Sequence, residues 1–132
     1  MTLKPYSVYI NGDSGTVLKL GRDALSSIIK DSPLPLERLT FVPAAELAAQ
    51  VAQAARNGPV LVGGGDGTIR ACAQEALTHR AAFGILPLGT MNLMARDLGL
   101  PLDLPKTLES YAEGAQTRTI DVGHVNDRVF LC

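Results

Sequence analysis

The chain has 132 residues, of which 46% are apolar and 19% are charged, and its formal net charge is −1. That length suffices for one domain with a buried core, and the composition is typical of a soluble globular protein. The near-neutral charge and the absence of Trp argue against a nucleic-acid-binding surface. No apolar run approaches the roughly 20 residues of a membrane span, and the N-terminus lacks a signal-peptide core, so we expect a cytoplasmic protein.

Short apolar runs alternate with segments of helical spacing along most of the chain. Clusters of Asn, Gly, Pro and Ser separate them. In the first half, the pattern predicts a strand over Ser7–Ile10, a helix over Val17–Lys30, a strand over Leu36–Val42 and a helix over Ala44–Arg56. In the second half, it predicts a strand over Val60–Val62, a helix over Ile69–Thr78, a strand over Phe83–Pro87, a helix over Asn92–Leu98 and, after the N-cap Asp103, a helix over Leu104–Glu113.

The last part of the chain has a different pattern. Arg118–Val122 and Arg128–Leu131 are predicted as strands that a hairpin turn at Asn126–Asp127 joins. We therefore expect residues 1–117 to form an α/β domain and residues 118–132 to begin a second, β-rich domain that is truncated here. The apolar residues after Val129 leave homodimer formation open.

Alternating strands and helices indicate an α/β fold, a doubly wound, mostly parallel sheet with helices on both faces. In such sheets, ligands bind outside the carboxyl ends of the strands. Turn-rich loops follow the first, third and fourth strands, at Asn11–Gly15, Gly63–Thr68 and Pro87–Thr90, and Thr40 lies near the end of the second. The chain order alone therefore predicts one site at this edge of the sheet.

The glycine-rich segment Gly63–Thr68 lies between an apolar strand and a helix. Backbone without Cβ atoms at a helix N-terminus lets successive N–H groups approach a phosphate closely. Asp66 would repel a phosphate unless a metal ion or a hydroxyl lies between them, so the motif indicates a nucleotide-phosphate site with an acidic metal or ribose contact. The alternative is a tight turn that only packs the strand against the helix.

Two segments, Gly64–Thr68 and Pro87–Arg96, resemble paired loop motifs of the diacylglycerol kinase catalytic-domain family. That family includes bacterial lipid kinases and the sphingosine and ceramide kinases, and NAD kinases are more distant relatives. Asn11–Gly15 is similar to the family's N-P-x-S-G segment, and the resemblance extends to about Phe130. It implies the N-terminal domain of the NAD kinase and diacylglycerol kinase fold.

The resemblance also implies ATP- and Mg²⁺-dependent phosphorylation of a hydroxyl of diacylglycerol or a similar lipid, at a membrane surface that the protein contacts peripherally. The glycines and Thr68 would hold the phosphates, and Asp66 would organise the metal ion or the ribose. The family's catalytic base lies in its second domain, so we assign none here. The implied nucleotide-binding residues are Asn11, Ser14, Thr40, Gly64, Gly65, Asp66, Gly67, Thr68, Arg70, Thr90 and Asn92.

This chain departs from the family pattern at two positions of the implied site. Gly12 replaces the family's Pro, which loosens the first turn, and Arg70 replaces its Asn, which places a cation near the phosphates. A nucleotide-binding module without turnover therefore stays open as an alternative. A NAD kinase-like or sugar-phosphate kinase is a third interpretation, against which only the resemblance of Pro87–Thr90 and Asn92 argues.

Other polar and sulfur-containing residues have simpler interpretations. Asp13 is expected to support its own turn, and His79 is expected at the surface. Met91 and Met94 are predicted to pack in the core or in a lid, with a lipid-binding face as the alternative. Arg96 and Asp97 are predicted to lie on a solvated helix face; the alternative for Arg96, which matches a position of the family, is that it locks the second loop.

Overall fold

A computed structural model describes residues 4–79, 81–89 and 91–114, together with the backbone of residues 122–125 and 128–131. Helices follow each of the first four strands, up to residue 112, and two further strands come after them. In chain order, the elements are β1 (Tyr6–Asn11), α1 (Gly15–Leu20), α2 (Arg22–Asp31), β2 (Leu36–Val42), α3 (Ala44–Ala54), β3 (Val60–Gly64), α4 (Asp66–His79), β4 (Gly84–Pro87), α5 (Leu93–Asp97), α6 (Leu104–Ala112), β5 (Val122–Val125) and β6 (Arg128–Leu131).

Four strands form a parallel sheet in the order β2-β1-β3-β4. In its register, Tyr9 of β1 lies between Thr40 of β2 and Val62 of β3. Strands β5 and β6 pair antiparallel in a separate two-stranded sheet. The predicted parallel α/β architecture is therefore confirmed, and so is an antiparallel pair near the end of the chain.

Both faces of the parallel sheet are buried, because helices pack on each of them and successive strand residues point to opposite sides. On one face, Val8 and Ile10 of β1 pack in a cluster with Leu25 and Ile29 of α2 and Leu108 of α6. Helix α1 contributes Val17 to the same cluster. This face therefore carries the helices that follow β1, together with α6.

The second face has its own apolar cluster. Tyr9 and Val62 pack there with Val51 of α3, Cys72 of α4 and Met94 of α5. The chain after β1 thus crosses one face of the sheet, whereas the chain after its neighbour β3 crosses the other. A crevice forms where adjacent strands send their connections to opposite faces, and it lies outside the strands' carboxyl ends.

The helix predicted over Val17–Lys30 is wrong, because the structure has two helices there. Gly21 separates α1 from α2 with φ +90°, a conformation that L side chains rarely adopt. Its N–H donates to the Val17 carbonyl at 2.8 Å, and its carbonyl accepts from the Leu25 N–H at 3.2 Å. Gly21 thus ends one helix and begins the next.

Helix α4 begins at Asp66, three residues before the predicted start at Ile69. The Ile69 N–H donates to the Gly65 carbonyl at 3.0 Å, which makes residues 66–68 part of the first helical turn. The predicted N-cap Asp103 is confirmed, because its side chain accepts from the Lys106 N–H.

The terminal strands agree with the predictions only in part. Strand β6 matches its predicted bounds, whereas β5 begins at Val122, where the predicted strand over Arg118–Val122 should end. The other residues of that predicted strand, the hairpin residues Asn126–Asp127 and the predicted boundary at residues 117–118 lie outside the described residues.

Strand β4 lies at one edge of the parallel sheet, where a side chain from α6 covers it. The Tyr111 hydroxyl accepts from the Ile85 N–H at 2.7 Å and donates to the Ile85 carbonyl at 3.0 Å. Its ring packs edge-on against Tyr6, with centroids 6.1 Å apart. The opposite edge strand, β2, instead carries the exposed charged residues Glu37 and Arg38.

Candidate functional site

The loops after β1, β3 and β4 meet at the carboxyl edge of the sheet and enclose a cleft of about 320 Å³. The glycine segment and the β4–α5 loop, which are far apart in the chain, therefore lie side by side, as the chain order predicts. The cleft is lined by Asn11, Ser14, Gly15, Gly65, Asp66, Gly67, Thr68, Gly89 and Met91.

Two glycines allow this close approach of the loops. A Cβ on Gly65 would lie 3.1 Å from the Gly89 Cα, and a Cβ on Gly89 would overlap the Gly65 Cα. Next to them, the Leu88 N–H donates to the Gly64 carbonyl at 3.1 Å. The absence of side chains at Gly65 and Gly89 is thus a packing requirement, because backbone atoms cannot give way as a flexible side chain can.

Gly64 and Gly67, in the same segment as Gly65, differ from this pair and from each other. A Cβ on Gly64, the last residue of β3, would lie 2.8 Å from the Thr68 Cβ, so Gly64 leaves room for that side chain. A Cβ on Gly67 would meet nothing within 4 Å. Gly67 is therefore the glycine of the segment whose missing side chain keeps the cleft open without serving the packing of the protein.

Asn11, at the end of β1, connects two sides of the cleft. Its Nδ2 donates to the Thr68 Oγ1 at 2.8 Å, and its Oδ1 accepts from the Asp13 N–H at 2.8 Å. The backbone donor at Asp13 fixes the orientation of the amide, because only an oxygen can accept from it. Since the Thr68 oxygen accepts from Asn11, the Thr68 hydroxyl proton is directed elsewhere and can serve a ligand.

Ser14 follows in the same loop, and its side chain is 7% exposed. Its hydroxyl lacks a hydrogen-bond partner within the described part of the chain, although its N–H donates to the Asn11 carbonyl. A buried hydroxyl without a partner is unusual and costs about 1–3 kcal/mol. An oxygen atom of a ligand in the cleft would satisfy it.

Asp66 is half-buried at the first position of α4, where the positive end of the helix dipole favours a carboxylate. Its Oδ1 accepts from the Leu93 N–H at 2.7 Å. One carboxylate oxygen therefore links the starts of α4 and α5, in addition to any contact that Asp66 makes with a ligand.

Asn92 and Arg96 hold the β4–α5 loop from within. The Asn92 Oδ1 accepts from the Gly89 N–H at 2.9 Å, and its Nδ2 donates to the Gly89 carbonyl at 3.0 Å. Asn92 has a left-handed backbone with φ 52°, which Asn tolerates better than most residues. The Arg96 Nε donates to the Met91 carbonyl at 2.8 Å. These bonds fix the loop on both sides of position 90.

The cleft does not include every residue that the sequence indicated. Thr40 lies within β2, two residues before the strand ends, and Arg70 is exposed on α4. Neither lines the cleft. Gly64 and Asn92 do not line it either, but they contact the lining residues Thr68 and Gly89, respectively. Thr90 lies outside the described residues.

Three residues that line the cleft, Gly15, Gly89 and Met91, are absent from the predicted nucleotide-binding residues, although Gly15 and Gly89 belong to loops that were predicted to reach the site. Met94 is buried, as predicted for a core position, whereas Met91 is 59% exposed, so the prediction of core packing is wrong for Met91 and a place in a lid stays a prediction. A glycine opposite a glycine-rich turn was the available signal for Gly89. The exposure of Met91 had no signal, since methionine is common both in cores and at binding surfaces.

The described residues limit the chemistry that the site can perform. They contain no group of three or more His, Cys, Asp or Glu side chains that could enclose a metal ion. Burial, together with the charge of Glu75, raises the pKa of the Cys72 thiol to about 12, so it is protonated and unreactive near neutral pH. What the cleft offers is hydroxyls, backbone N–H groups and one carboxylate.

None of the helices in the described part is long and apolar enough to cross a bilayer.

Known proteins resemble this chain in sequence and in fold. The sequence model of the diacylglycerol kinase catalytic domain matches residues 6–125. A "probable lipid kinase YegS-like" protein of Pseudomonas syringae pv. tomato is 43% identical over 83 residues, which are 61% of this chain and 26% of that protein. A diacylglycerol kinase of Staphylococcus saprophyticus is 32% identical over 124 residues, which are 84% of this chain and 40% of that protein.

The crystal structure of a diacylglycerol kinase from Bacillus anthracis str. Sterne superposes with a TM-score of 0.74 and 20% sequence identity. The match covers 98% of this chain and 46% of that one. At this identity, the superposition establishes the shared α/β fold. The chain spans less than half the length of each of these relatives.

Proposed function

Because this chain belongs to the diacylglycerol kinase catalytic domain family, we propose that it forms the nucleotide-binding part of an ATP-dependent lipid kinase. In the proposed reaction, the γ-phosphate of ATP is transferred to a hydroxyl of diacylglycerol or a similar lipid. The activity and the lipid are proposals about the complete protein, since the chain spans less than half the length of its relatives.

The observation that carries the proposal is the cleft, whose donor groups suit a polyphosphate. The buried Ser14 hydroxyl lacks a partner among the described residues, and the Thr68 hydroxyl has a free proton to donate. The first N–H groups of α4 have no acceptor within their helix, and the helix dipole favours an anion in front of them. Gly67 leaves the approach to these groups open.

Magnesium is compatible with this cleft as part of a nucleotide complex. Mg²⁺ is usually held by one or two carboxylates together with the phosphates of its nucleotide, and Asp66 is the carboxylate that lines the cleft. When bound, the ion would neutralise phosphate charge. Asp66 would then have two functions, since its Oδ1 also bonds the start of α5.

The residues of this chain would contribute position and charge stabilisation, which supply most of the catalysis in phosphoryl transfer. Ser14, Thr68 and the α4 amides would orient the phosphates, and Asn11 would keep the Thr68 hydroxyl pointed at them. No described residue is assigned as the general base for the lipid hydroxyl.

An acceptor at a membrane surface agrees with the apolar residues near the cleft. Met91 and Leu93 are 59% and 53% exposed on the loop and helix beside it. Such side chains suit contact with an apolar substrate or with the bilayer that holds it. We therefore propose a cytoplasmic protein that contacts the inner face of the membrane peripherally.

The test is a transfer assay with the complete protein, radiolabelled ATP, Mg²⁺ and a panel of lipids that includes diacylglycerol and sphingoid bases. We expect a labelled phospholipid whose formation requires Mg²⁺ and is lost in Asp66→Ala. Asp97→Ala, which removes an exposed carboxylate outside the cleft lining, is the matched control. ATP binding without any labelled lipid would instead support a nucleotide-binding module without turnover.

A further inference from the structure

Arg22, the first residue of α2, has a defined place beside the cleft. Its guanidinium carbon lies 5.3 Å from the centre of the Phe41 ring, within the range of a cation–π contact. The same side chain lies next to Gly12, where a Cβ would be 2.6 Å from the Arg22 Nη2. The guanidinium therefore fills the space that the missing side chain of Gly12 leaves.

This place belongs to the same sheet edge as the cleft. Phe41 is the second-last residue of β2 and pairs with Ile10 of β1. Gly12 lies between the cleft-lining residues Asn11 and Ser14. Since β1 lies between β2 and β3, the loop after β1 has Arg22 on its β2 side and the glycine segment on its β3 side.

The charge of Arg22 lies against the Phe41 ring and is not balanced by an anion among the described residues. Within the described residues, no carboxylate lies within 4 Å of its guanidinium to form an ion pair, and the residue is exposed. A cation in the first turn of a helix also opposes the helix dipole. An unpaired guanidinium held against an aromatic ring is preorganised for an anion, because little side-chain freedom is left to lose on binding.

We infer that Arg22 is an additional nucleotide-binding residue, whose guanidinium binds a phosphate oxygen of the nucleotide from the β2 side of the cleft. The inference rests on the proposed function. It also explains the departure at Gly12, because a larger residue there would collide with the guanidinium. Gly12 and Arg22 then act as a pair, in which the first leaves the space that the second occupies.

The test measures dissociation constants of the complete protein for ATP and for tripolyphosphate, which has the charge but no base. Arg22→Gln is expected to weaken both by about tenfold, the effect of one charge-assisted hydrogen bond. Arg22→Lys is expected to recover part of the loss, because it restores the charge without the planar contact. Lys30→Gln, at the opposite end of α2, is the matched control and should bind both ligands as the wild type does.

Gly12→Ala provides an independent variant that keeps the charge and displaces it. The backbone of Gly12 does not have a positive φ, so alanine is tolerated there and only the guanidinium must move. We expect weaker tripolyphosphate binding in this variant with an unchanged melting temperature. It also replaces Arg22→Gln as the decisive variant if that protein does not fold.

The outcomes separate this inference from the proposal on which it rests. Wild-type protein that does not bind ATP would overturn the proposed function itself. Wild-type binding with an unchanged affinity in Arg22→Gln, or in Gly12→Ala if it is the decisive variant, would overturn the role of Arg22 alone. A loss for ATP without a loss for tripolyphosphate would place the contact on the nucleoside and overturn the phosphate assignment.

Discussion

The Asp66 carboxylate accepts a hydrogen bond from the Leu93 N–H at 2.7 Å, across 27 residues of sequence. The two residues begin α4 and α5, and each helix follows a loop that lines the cleft. Asp66 is therefore placed to set the distance between the two loops as well as to meet a ligand. These two functions depend on different properties of the side chain, and substitution can separate them.

Asp66→Asn keeps an oxygen acceptor for the Leu93 N–H and removes the charge, whereas Asp66→Ala removes both. We expect Asp66→Ala to be less stable than Asp66→Asn by about 1–2 kcal/mol, because only the alanine leaves the N–H without its partner. Both should lose Mg²⁺-dependent turnover. Urea unfolding and the lipid kinase assay measure the two effects, and full activity in Asp66→Asn would contradict a charge-dependent function.

Gly89→Ala and Gly67→Ala are a matched pair of substitutions in the two neighbouring loops that line the cleft. The first forces a Cβ onto the Gly65 backbone, and overpacking of this kind costs about 1–3 kcal/mol or more. The second places its Cβ in open space, so stability should be unchanged or slightly higher, as alanine is the better helix former. Thermal unfolding measures this contrast.

Gly67→Ala should affect ATP affinity although it leaves stability unchanged. Gly67→Ala is expected to weaken ATP binding although the protein stays folded, because the new methyl group narrows the cleft. Equilibrium titration with ATP measures the affinity. A Gly67→Ala protein that binds ATP as tightly as the wild type does would show that the phosphates do not pass this residue.

Ser14→Ala tests whether the buried hydroxyl is reserved for a ligand. Because the hydroxyl has no partner among the described residues, we expect its removal to leave the free protein equally stable or more stable, by up to about 1 kcal/mol. ATP affinity should fall in the same variant. Differential scanning calorimetry with and without ATP gives both results, and a destabilised free protein would show that Ser14 supports the loop instead.

Alkaline pH should destabilise the protein through its buried acidic protons. Burial raises the pKa of the Tyr111 hydroxyl from 10.0 to about 12 and that of the Cys72 thiol from 9.0 to about 12. The unfolded chain therefore releases these protons at lower pH than the native protein does. Stability is fully present below about pH 9 and falls as the pH rises toward 12.

Tyr111→Phe removes one of these two groups along with both hydrogen bonds to Ile85. We expect a loss of about 1–3 kcal/mol at neutral pH, because two backbone groups lose their partner, and a shallower decline above pH 10. Urea unfolding at several pH values measures both. Tyr9→Phe, a substitution at a tyrosine that packs on the other face of the sheet, is the control.

The sequence predicted the fold and the meeting of the loops, because both follow from the order of strands and helices. It did not predict the break at Gly21, since Val17, Leu25 and Ile29 face the same core on both sides of it. A single glycine within helical spacing does not reveal that its φ is positive. Periodicity carries the direction of side chains and not the continuity of the backbone.

The detail of the cleft was less accessible, because it depends on contacts between residues that are distant in the chain. Sequence patterns suggest that Gly65 and Gly67 serve the same purpose, yet one packs against Gly89 and the other borders open space. The place of Arg22 depends on Phe41 and Gly12 together. None of these three residues indicates the contact by its type alone.

We expect the Tyr111 hydroxyl also to affect how molecules of this protein associate. The outer margin of a sheet is a template on which a strand of another molecule can assemble. At β4, such a strand would first have to break both bonds that Ile85 makes with the phenol. This tyrosine should therefore block the addition of strands from other molecules to the sheet. We expect Tyr111→Phe to aggregate more readily, in addition to being less stable.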